Sequence, residues 1–370
     1  MTNSVRIGVL FFALLHAVHG EDLFVYFGTH TAGAGKGFSL AHFDTISGAL
    51  SKPEFLLEAP APAYFIIAPD RRHLYTCNST GFVSAYAIDP ATGRLTLLNQ
   101  KPAGGGDPSY ISLDATAQFI LDANYDGGNI AVWKIAPDGG IGERTAFVQH
   151  TGKSVDPQRQ MHAFAHSIRT DPSNRFVLVA DLGLDKLFVY KFDVKTGSLT
   201  PNDPPFVTVK PGSGPRHVVF HPNGRWVYLI TEMGSTIIQY DWDTARGVLK
   251  EGRTISTLPA DFHGSSACSE IAVHSNGKFL YASNRGHDSI AVFAIDAGSG
   301  RLTPLEYVPS GGKTPRNFAL DPSAQWMLVT NHGNNVAMVF RIDQATGKLT
   351  PVGTPVEVPY PFCPRFLPRR

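Results

Sequence analysis

One pattern returns seven times along the 370 residues and constrains the fold more than anything else in the chain. An Asp is followed within a few residues by Gly-x-Leu: Asp44…Gly48-Ala49-Leu50, Asp89…Gly93-Arg94-Leu95, Asp193…Gly197-Ser198-Leu199, Asp243…Gly247-Val248-Leu249, Asp296…Gly300-Arg301-Leu302 and Asp343…Gly347-Lys348-Leu349. A degenerate copy, Asp138-Gly139-Gly140-Ile141, fills the one gap. Gly48 and Gly347 lie 299 residues apart over six intervals, a period near 50. A steady period of that length marks a repeat architecture, in which each unit buries its apolar surface against the next.

Every unit has the same grammar. A short run opens after a proline or small residue, as in Pro62-Ala63-Tyr64-Phe65 and Pro215-Arg216-His217-Val218. A turn such as His221-Pro222-Asn223-Gly224 follows, then a second apolar run (226–230, 279–282, 326–329) ending at a polar residue. A third run, such as Ile290-Ala291-Val292-Phe293-Ala294-Ile295, leads into the Asp…Gly-x-Leu turn. Runs of this length, rich in β-branched and aromatic residues and bounded by turn chemistry, read as strands. Helical periodicity beyond a turn or two is absent. Four antiparallel strands per unit, repeated radially, predict an all-β fold: a seven-bladed β-propeller. Phe24-Val25-Tyr26-Phe27-Gly28 reads as a second strand lacking its first, and Pro364-Arg365-Phe366-Leu367 as a first strand lacking its unit. Pairing of the N-terminal strands with this C-terminal innermost strand closes the ring and removes the open sheet edge that invites association, so a monomer is expected.

Before the first repeat, Arg6 precedes an apolar run over 7–18, and small residues follow near Gly20. That is the layout of a signal peptide cleaved before Glu21, and too short for a membrane span, which needs about 20 apolar residues. The expected organisation is therefore a signal peptide at 1–20 and one propeller domain over 21–370, in the periplasm or secreted. Net charge is +1 and no basic run occurs, which excludes a nucleic-acid footprint. Cys77, Cys268 and Cys363 are too few for a disulfide scaffold and read as small buried hydrophobes. Gly33-Ala34-Gly35-Lys36-Gly37 lacks the Ser/Thr and the helix of a phosphate loop, and no Gly-x-Ser-x-Gly elbow occurs. No metal signature of the CxxC or HExxH kind is present, and no cofactor is expected.

The topology itself predicts where polar chemistry gathers. The start of an innermost strand lies at the same end of the ring as the finish of the second strand. Second strands finish at Asn78, Asn124, Asp181, Glu232, Asn284 and Asn331; innermost strands open near Tyr64, Tyr110, His166, Arg216, Glu270, Arg316 and Arg365. Arg285 follows Asn284. Arginines from separate blades aimed into one mouth suit an anionic ligand. Equally, they suit inter-blade ion pairs with Glu232, Glu270 and Asp181.

The stretches Ala165-His166-Ser167, Gly214-Pro215-Arg216-His217, Thr231-Glu232, Ser283-Asn284-Arg285-Gly286-His287-Asp288-Ser289 and Thr314-Pro315-Arg316-Asn317, with the repeat grammar, resemble the seven-bladed propeller lactonases. That family includes propeller-type 6-phosphogluconolactonases and the fungal carboxy-cis,cis-muconate cyclase. The resemblance implies hydrolysis of a sugar-acid lactone, a small anionic or sugar-derived molecule, at a site containing His166, Arg216, Glu232 and Arg285. Glu232 is the expected base; Arg216 and Arg285 hold the oxyanion and the substrate's anionic group; His166 orients water or protonates the leaving alkoxide. Arg316, Arg365, His217, Asn284 and His162 are expected substrate contacts. Family members often carry two histidines one residue apart before this inner strand; here Phe164 takes the first position, and His162 stands two residues earlier. Three alternatives share these residues: a lactonising cycloisomerase, a calcium-dependent site using Asn124, Asp181, Glu232 and Asn284, and a non-catalytic platform for a protein or glycan partner.

Overall fold

The computed structural model describes residues 22–31 and 36–369. The expected signal peptide, 1–20, lies outside them, as does most of the glycine-rich turn at 33–37. Among the described residues, 28 strands numbered in chain order form seven four-stranded antiparallel sheets, the seven-bladed propeller that the repeat predicts. Blade 1 is split between the chain ends: β28 (Pro361–Pro368) is its innermost strand and pairs with β1 (Asp22–Thr29), from Leu23↔Pro368 to Thr29↔Pro361. Blades 2 to 7 follow in order, with innermost strands β4 (Pro62–Ile67), β8 (Pro108–Leu113), β12 (Ala165–Thr170), β16 (Pro215–Phe220), β20 (Ala267–Val273) and β24 (Pro315–Leu320). The three cysteines are free and buried. Among the described residues, no helix is long and apolar enough to cross a membrane.

The second strands β9 (Phe119–Asn124), β13 (Phe176–Asp181), β17 (Trp226–Thr231) and β25 (Trp326–Asn331) are buried at every position. Both faces of each are covered by neighbouring blades, so these strands read as continuous apolar runs rather than alternating ones.

The repeated turn locks one blade to the next. The Asp carboxylate holds the turn: Asp343 Oδ1 accepts from Ala345 N at 2.9 Å and Thr346 N at 2.8 Å, and Asp44 Oδ1 accepts from Ile46 N at 2.8 Å. The Gly takes a left-handed backbone in all seven copies, with φ between 68° and 83°. In six of the seven copies it also lies against the residue that opens the second strand of the preceding blade. A Cβ at Gly300 would sit 2.4 Å from Trp226, at Gly347 2.4 Å from Phe279, at Gly48 2.3 Å from Trp326 and at Gly247 2.4 Å from Phe176. A tyrosine hydroxyl closes several of the same joints: Tyr26 donates to Gly93 O at 2.7 Å, Tyr75 to Gly139 O at 2.9 Å and Tyr228 to Gly300 O at 2.7 Å. The glycine of the motif is thus required twice, by its dihedral and by its neighbour.

The two requirements separate experimentally. Gly224 has the same φ of 70° but nothing within 4 Å of its Cβ position. Gly224→Ala is expected to cost about 1 kcal/mol, the left-handed penalty alone. Gly300→Ala adds an overpacked joint and is expected to cost about 3 kcal/mol. Denaturant midpoints of the two variants check this; equal losses would refute the packing role.

Candidate active site

Each innermost strand carries an irregularity near its opening, and this determines what faces the channel. The ladder slips by one residue at Ala63, Ser109, His166, Arg216, Arg316 and Phe362, and over Ser269-Glu270 in β20. A bulge of this kind re-aims a side chain that strict alternation would send to the other face. Arg216 and His217, adjacent in sequence, accordingly meet in the same cluster, with Arg216 Nη1 3.0 Å from His217 Nε2.

Glu232 lies one residue beyond Thr231, which pairs with Pro215 across the blade 5 ladder. Its carboxylate is 6% exposed and meets three guanidinium groups: Arg159 Nη2 at 2.6 Å from Oε1, Arg216 Nε at 3.0 Å and Arg285 Nη2 at 2.9 Å from Oε2. His166 Nε2 is 3.8 Å from Oε2. Burial alone would push the Glu232 pKa up. Arg285 and Arg216, then His166 and the Arg159 hydrogen bond, hold it well below the usual carboxylate range. His166 is driven well below its ordinary value by burial, then by Arg216 and His217, and is therefore uncharged at neutral pH.

The arginines are not equally committed. Arg216 also donates to Ser269 O at 2.7 Å, and Arg285 Nη2 to Cys268 O at 2.9 Å. Arg316 forms no ion pair among the described residues. Its guanidinium lies 4.1 Å over the ring of Phe362, and its buried Nε has no hydrogen-bond partner. Burial first, then Arg216 and Arg285, pushes its pKa down, the signature of a cation short of a counter-charge. His30 and His332 pack on the same Phe362 ring, with centroids at 4.6 Å and 5.4 Å.

A second layer closes the channel beneath. With its proton on Nδ1, His217 donates to Glu270 Oε1 at 2.9 Å and accepts from Arg216 on Nε2. Glu270 also takes the Asn317 amide, and Asn317 Oδ1 accepts from Arg365 at 3.1 Å. Tyr64 and Tyr110 stack at 4.4 Å, and Tyr110 packs on His217 at 5.0 Å.

The sequence-predicted residues therefore divide. His166, Arg216, Glu232 and Arg285 converge. His217 touches them but has both ring nitrogens engaged. Arg316 faces the mouth from blade 7, unpaired. Arg365 lies two positions further along β28 than Cys363, beneath the Tyr64 ring at 4.8 Å, and makes no ion pair with Glu232. His162 is exposed and stacks on Phe164 at 4.0 Å, one ring outside Tyr125 and His166. Asn284 is fully buried, donating to Thr257 O at 2.8 Å and Ser289 Oγ at 3.2 Å. Asn124 and Asp181, two further residues of the calcium alternative, are fully buried as well: Asn124 donates its amide to Asn129 Oδ1 at 2.9 Å, and Asp181 Oδ2 lies 2.7 Å from His150 Nδ1. The register explains this: the last residue of a second strand pairs with the first of the innermost strand, and only the residue after it reaches the mouth. Glu232, Tyr125 and His332 hold that next position; in blade 6 the ladder runs one pair further, and Arg285 follows Asn284 while itself pairing with Ala267.

Sequence reasoning missed Arg159, His30 and His332. Arg159 comes from the connection between blades 3 and 4, whose length between β11 (Ile141–Gln149) and β12 was its only signal.

Seven radial sheets around a channel, one mouth of which gathers charged side chains from several blades, define a β-propeller with its polar site on the ring axis. The family model described as Lactonase, 7-bladed beta-propeller matches residues 24–366, and the chain belongs to that family. It is 36% identical over 345 residues to a 6-phosphogluconolactonase of Bacillus subtilis, covering 92% of this chain and 97% of the relative. A 6-phosphogluconolactonase of Formosa agariphila is 32% identical over 79% of this chain and 84% of its own length. Among solved structures, the periplasmic gluconolactonase PpgL of Pseudomonas aeruginosa superposes with a TM-score of 0.88 at 30% identity, over 94% of this chain and all of that one.

The buried His217 makes a test of this electrostatic layout. Burial and then Arg216 push its pKa from an ordinary 6.5 to about 4, against the pull of Glu270. Between those values the unfolded chain holds a proton that the folded one lacks. Stability is therefore complete above about pH 6.5 and falls as pH drops toward 4. Glu270, ionised and held at about 2, adds its own loss only below its ordinary 4.5. From pH 6.5 to 5 the wild type is expected to lose on the order of 1–2 kcal/mol more than His217→Gln. Urea midpoints across that range check it; parallel pH dependences would mean His217 is protonated in the fold.

Proposed function

We propose that this protein hydrolyses a sugar-acid lactone at the mouth around Glu232, with the substrate's anionic group held by arginines. The observation that carries this reading is the buried Glu232 carboxylate set among Arg159, Arg216 and Arg285, with the neutral imidazole of His166 3.8 Å away. That gap is too long for a direct hydrogen bond. A water about 2.8 Å from both groups fits it. In the reaction the water oxygen adds to the lactone carbonyl as its proton passes to Glu232. Arg216 and Arg285 stabilise the developing oxyanion. When the ring C–O bond breaks, the proton held by Glu232 moves to the departing ring oxygen, giving a hydroxy acid. Arg316, unpaired and flat on Phe362, supplies the counter-charge for a carboxylate or phosphate elsewhere on the substrate.

The signal-peptide pattern expected from the sequence at residues 1–20 supports action outside the cytoplasm, and so does the likeness to a protein described as a periplasmic gluconolactonase. An exported enzyme of this kind meets unphosphorylated lactones, for which a carboxylate is the available anionic group.

Glu232→Gln is expected to reduce kcat by about 10²-fold or more. Arg316→Ala is expected to raise KM for an anionic lactone about tenfold. Hydrolysis rates on glucono-δ-lactone and 6-phosphogluconolactone, above the uncatalysed background, provide the test. A Glu232→Gln variant with undiminished kcat removes Glu232 from the chemistry. A wild type inert on both compounds and on an aldarolactone overturns the lactonase reading.

A further inference from the structure

The three guanidiniums on Glu232 differ in how they are held. The Arg216 side chain is 3% exposed and also bonded to Ser269 O and His217; that of Arg285 is 15% exposed and also bonded to Cys268 O. The Arg159 side chain is 45% exposed. Apart from Glu232, its guanidinium has one polar contact, Tyr125 Oη at 3.4 Å. The backbone around it is fixed. Asp156 Oδ1 accepts from Arg159 N at 2.8 Å, the fully buried Gln160 donates to Leu182 O and Asp185 Oδ2 at 2.8 Å each, and Ser154 donates to Asp185 at 2.6 Å. The side chain can leave while the loop stays. Its departure uncovers Oε1, the carboxylate oxygen that neither Arg216 nor Arg285 engages.

We propose that Arg159 is a displaceable cap on the Glu232 carboxylate, drawn off Oε1 by an anionic group on the incoming lactone, so that substrates carrying their own charge switch on the base that opens them. The inference rests on the lactonase reading and narrows its substrate class to lactones bearing a carboxylate or phosphate. Capped by three cations, Glu232 is a weak proton acceptor in the empty site. An anionic substrate exchanges the Arg159–Glu232 ion pair for an Arg159–substrate pair, and the proton of the attacking water then passes to a carboxylate with one fewer guanidinium. A neutral lactone has nothing to exchange and meets the capped form. Arg159 thus positions the substrate and gates the base without taking part in bond-making.

The experiment is steady-state hydrolysis by wild type, Arg159→Ala and Arg159→Lys on three compounds: 6-phosphogluconolactone, an aldarolactone with a free carboxylate, and neutral glucono-δ-lactone. Arg159→Ala is expected to lower kcat/KM on the charged lactones about 10- to 100-fold and to raise kcat on the neutral one several-fold. Lysine should restore part of the first effect. Whichever charged compound loses more identifies the group that Arg159 receives. A uniform loss on all three means that Arg159 merely supports Glu232, and no change on any means that it is a spectator; either overturns the cap. If the wild type opens none of the three, the lactonase reading itself falls and the cap with it.

Discussion

The joint between blades carries the rest of the structure: a left-handed glycine pressed against the residue that opens the neighbouring second strand, held by an Asp-bonded turn. Repeated around the ring, it fixes both the spacing and the rotation of one sheet relative to the next. Close-packed interiors transmit strain instead of absorbing it. The site depends on this, because Arg216 and Glu232 come from blade 5, Arg285 from blade 6, His166 from blade 4 and Arg316 from blade 7. Contacts near 3 Å between groups on different blades persist only if each joint is reproduced to a fraction of an ångström. The joints also explain the low charge of the chain, 17% of residues, since each second strand is buried on both faces and accepts no polar stripe.

What the ring supplies in position, the bulges convert into chemistry. A propeller's innermost strand ordinarily shows every second residue to the channel. The slip at its opening brings Arg216 and His217 into one cluster, so the mouth and the layer below are bonded through consecutive residues. From Glu232 through Arg216 and His217 to Glu270, Asn317 and Arg365, anionic or accepting groups alternate with donors across blades 5, 6, 7 and 1. Such a chain is stable only when each member is satisfied. This accounts for a neutral His217 between an arginine and a carboxylate: a second proton on that ring would put two cations at hydrogen-bond distance.

The fold was legible because its determinants are local. Asp…Gly-x-Leu is a turn with a dihedral requirement, and the apolar runs are strands covered on both faces. Ring closure followed from the unpaired runs at 24–28 and 364–367, seen as β1 and β28. At the mouth, strand direction alone brought His166, Arg216, Glu232 and Arg285 to one end. Counting to the ends of strands was less successful, because whether Asn284 or Arg285 faces the channel is a matter of one residue of register, and a bulge changes that register invisibly to any periodicity. Depth was equally hidden: Arg365 opens no strand, being the fifth residue of β28. Arg159 was out of reach because a loop has no register from which to project a direction.

The charges at the mouth leave a definite remainder. Arg159, Arg216 and Arg285 share the one carboxylate of Glu232, and Arg316 beside them forms no ion pair among the described residues. A second fully ionised carboxylate here would quiet Arg316 and compete with any anionic ligand. Without Glu232, four cations would be left in mutual repulsion. One carboxylate among four guanidiniums is stable enough to fold and still short of negative charge. On the lactonase reading that shortage is functional: the substrate arrives as the absent counter-ion. Its binding loosens the hold on Glu232 to the extent that it satisfies the arginines, so affinity for the anion and basicity of the carboxylate rise from the same exchange of partners.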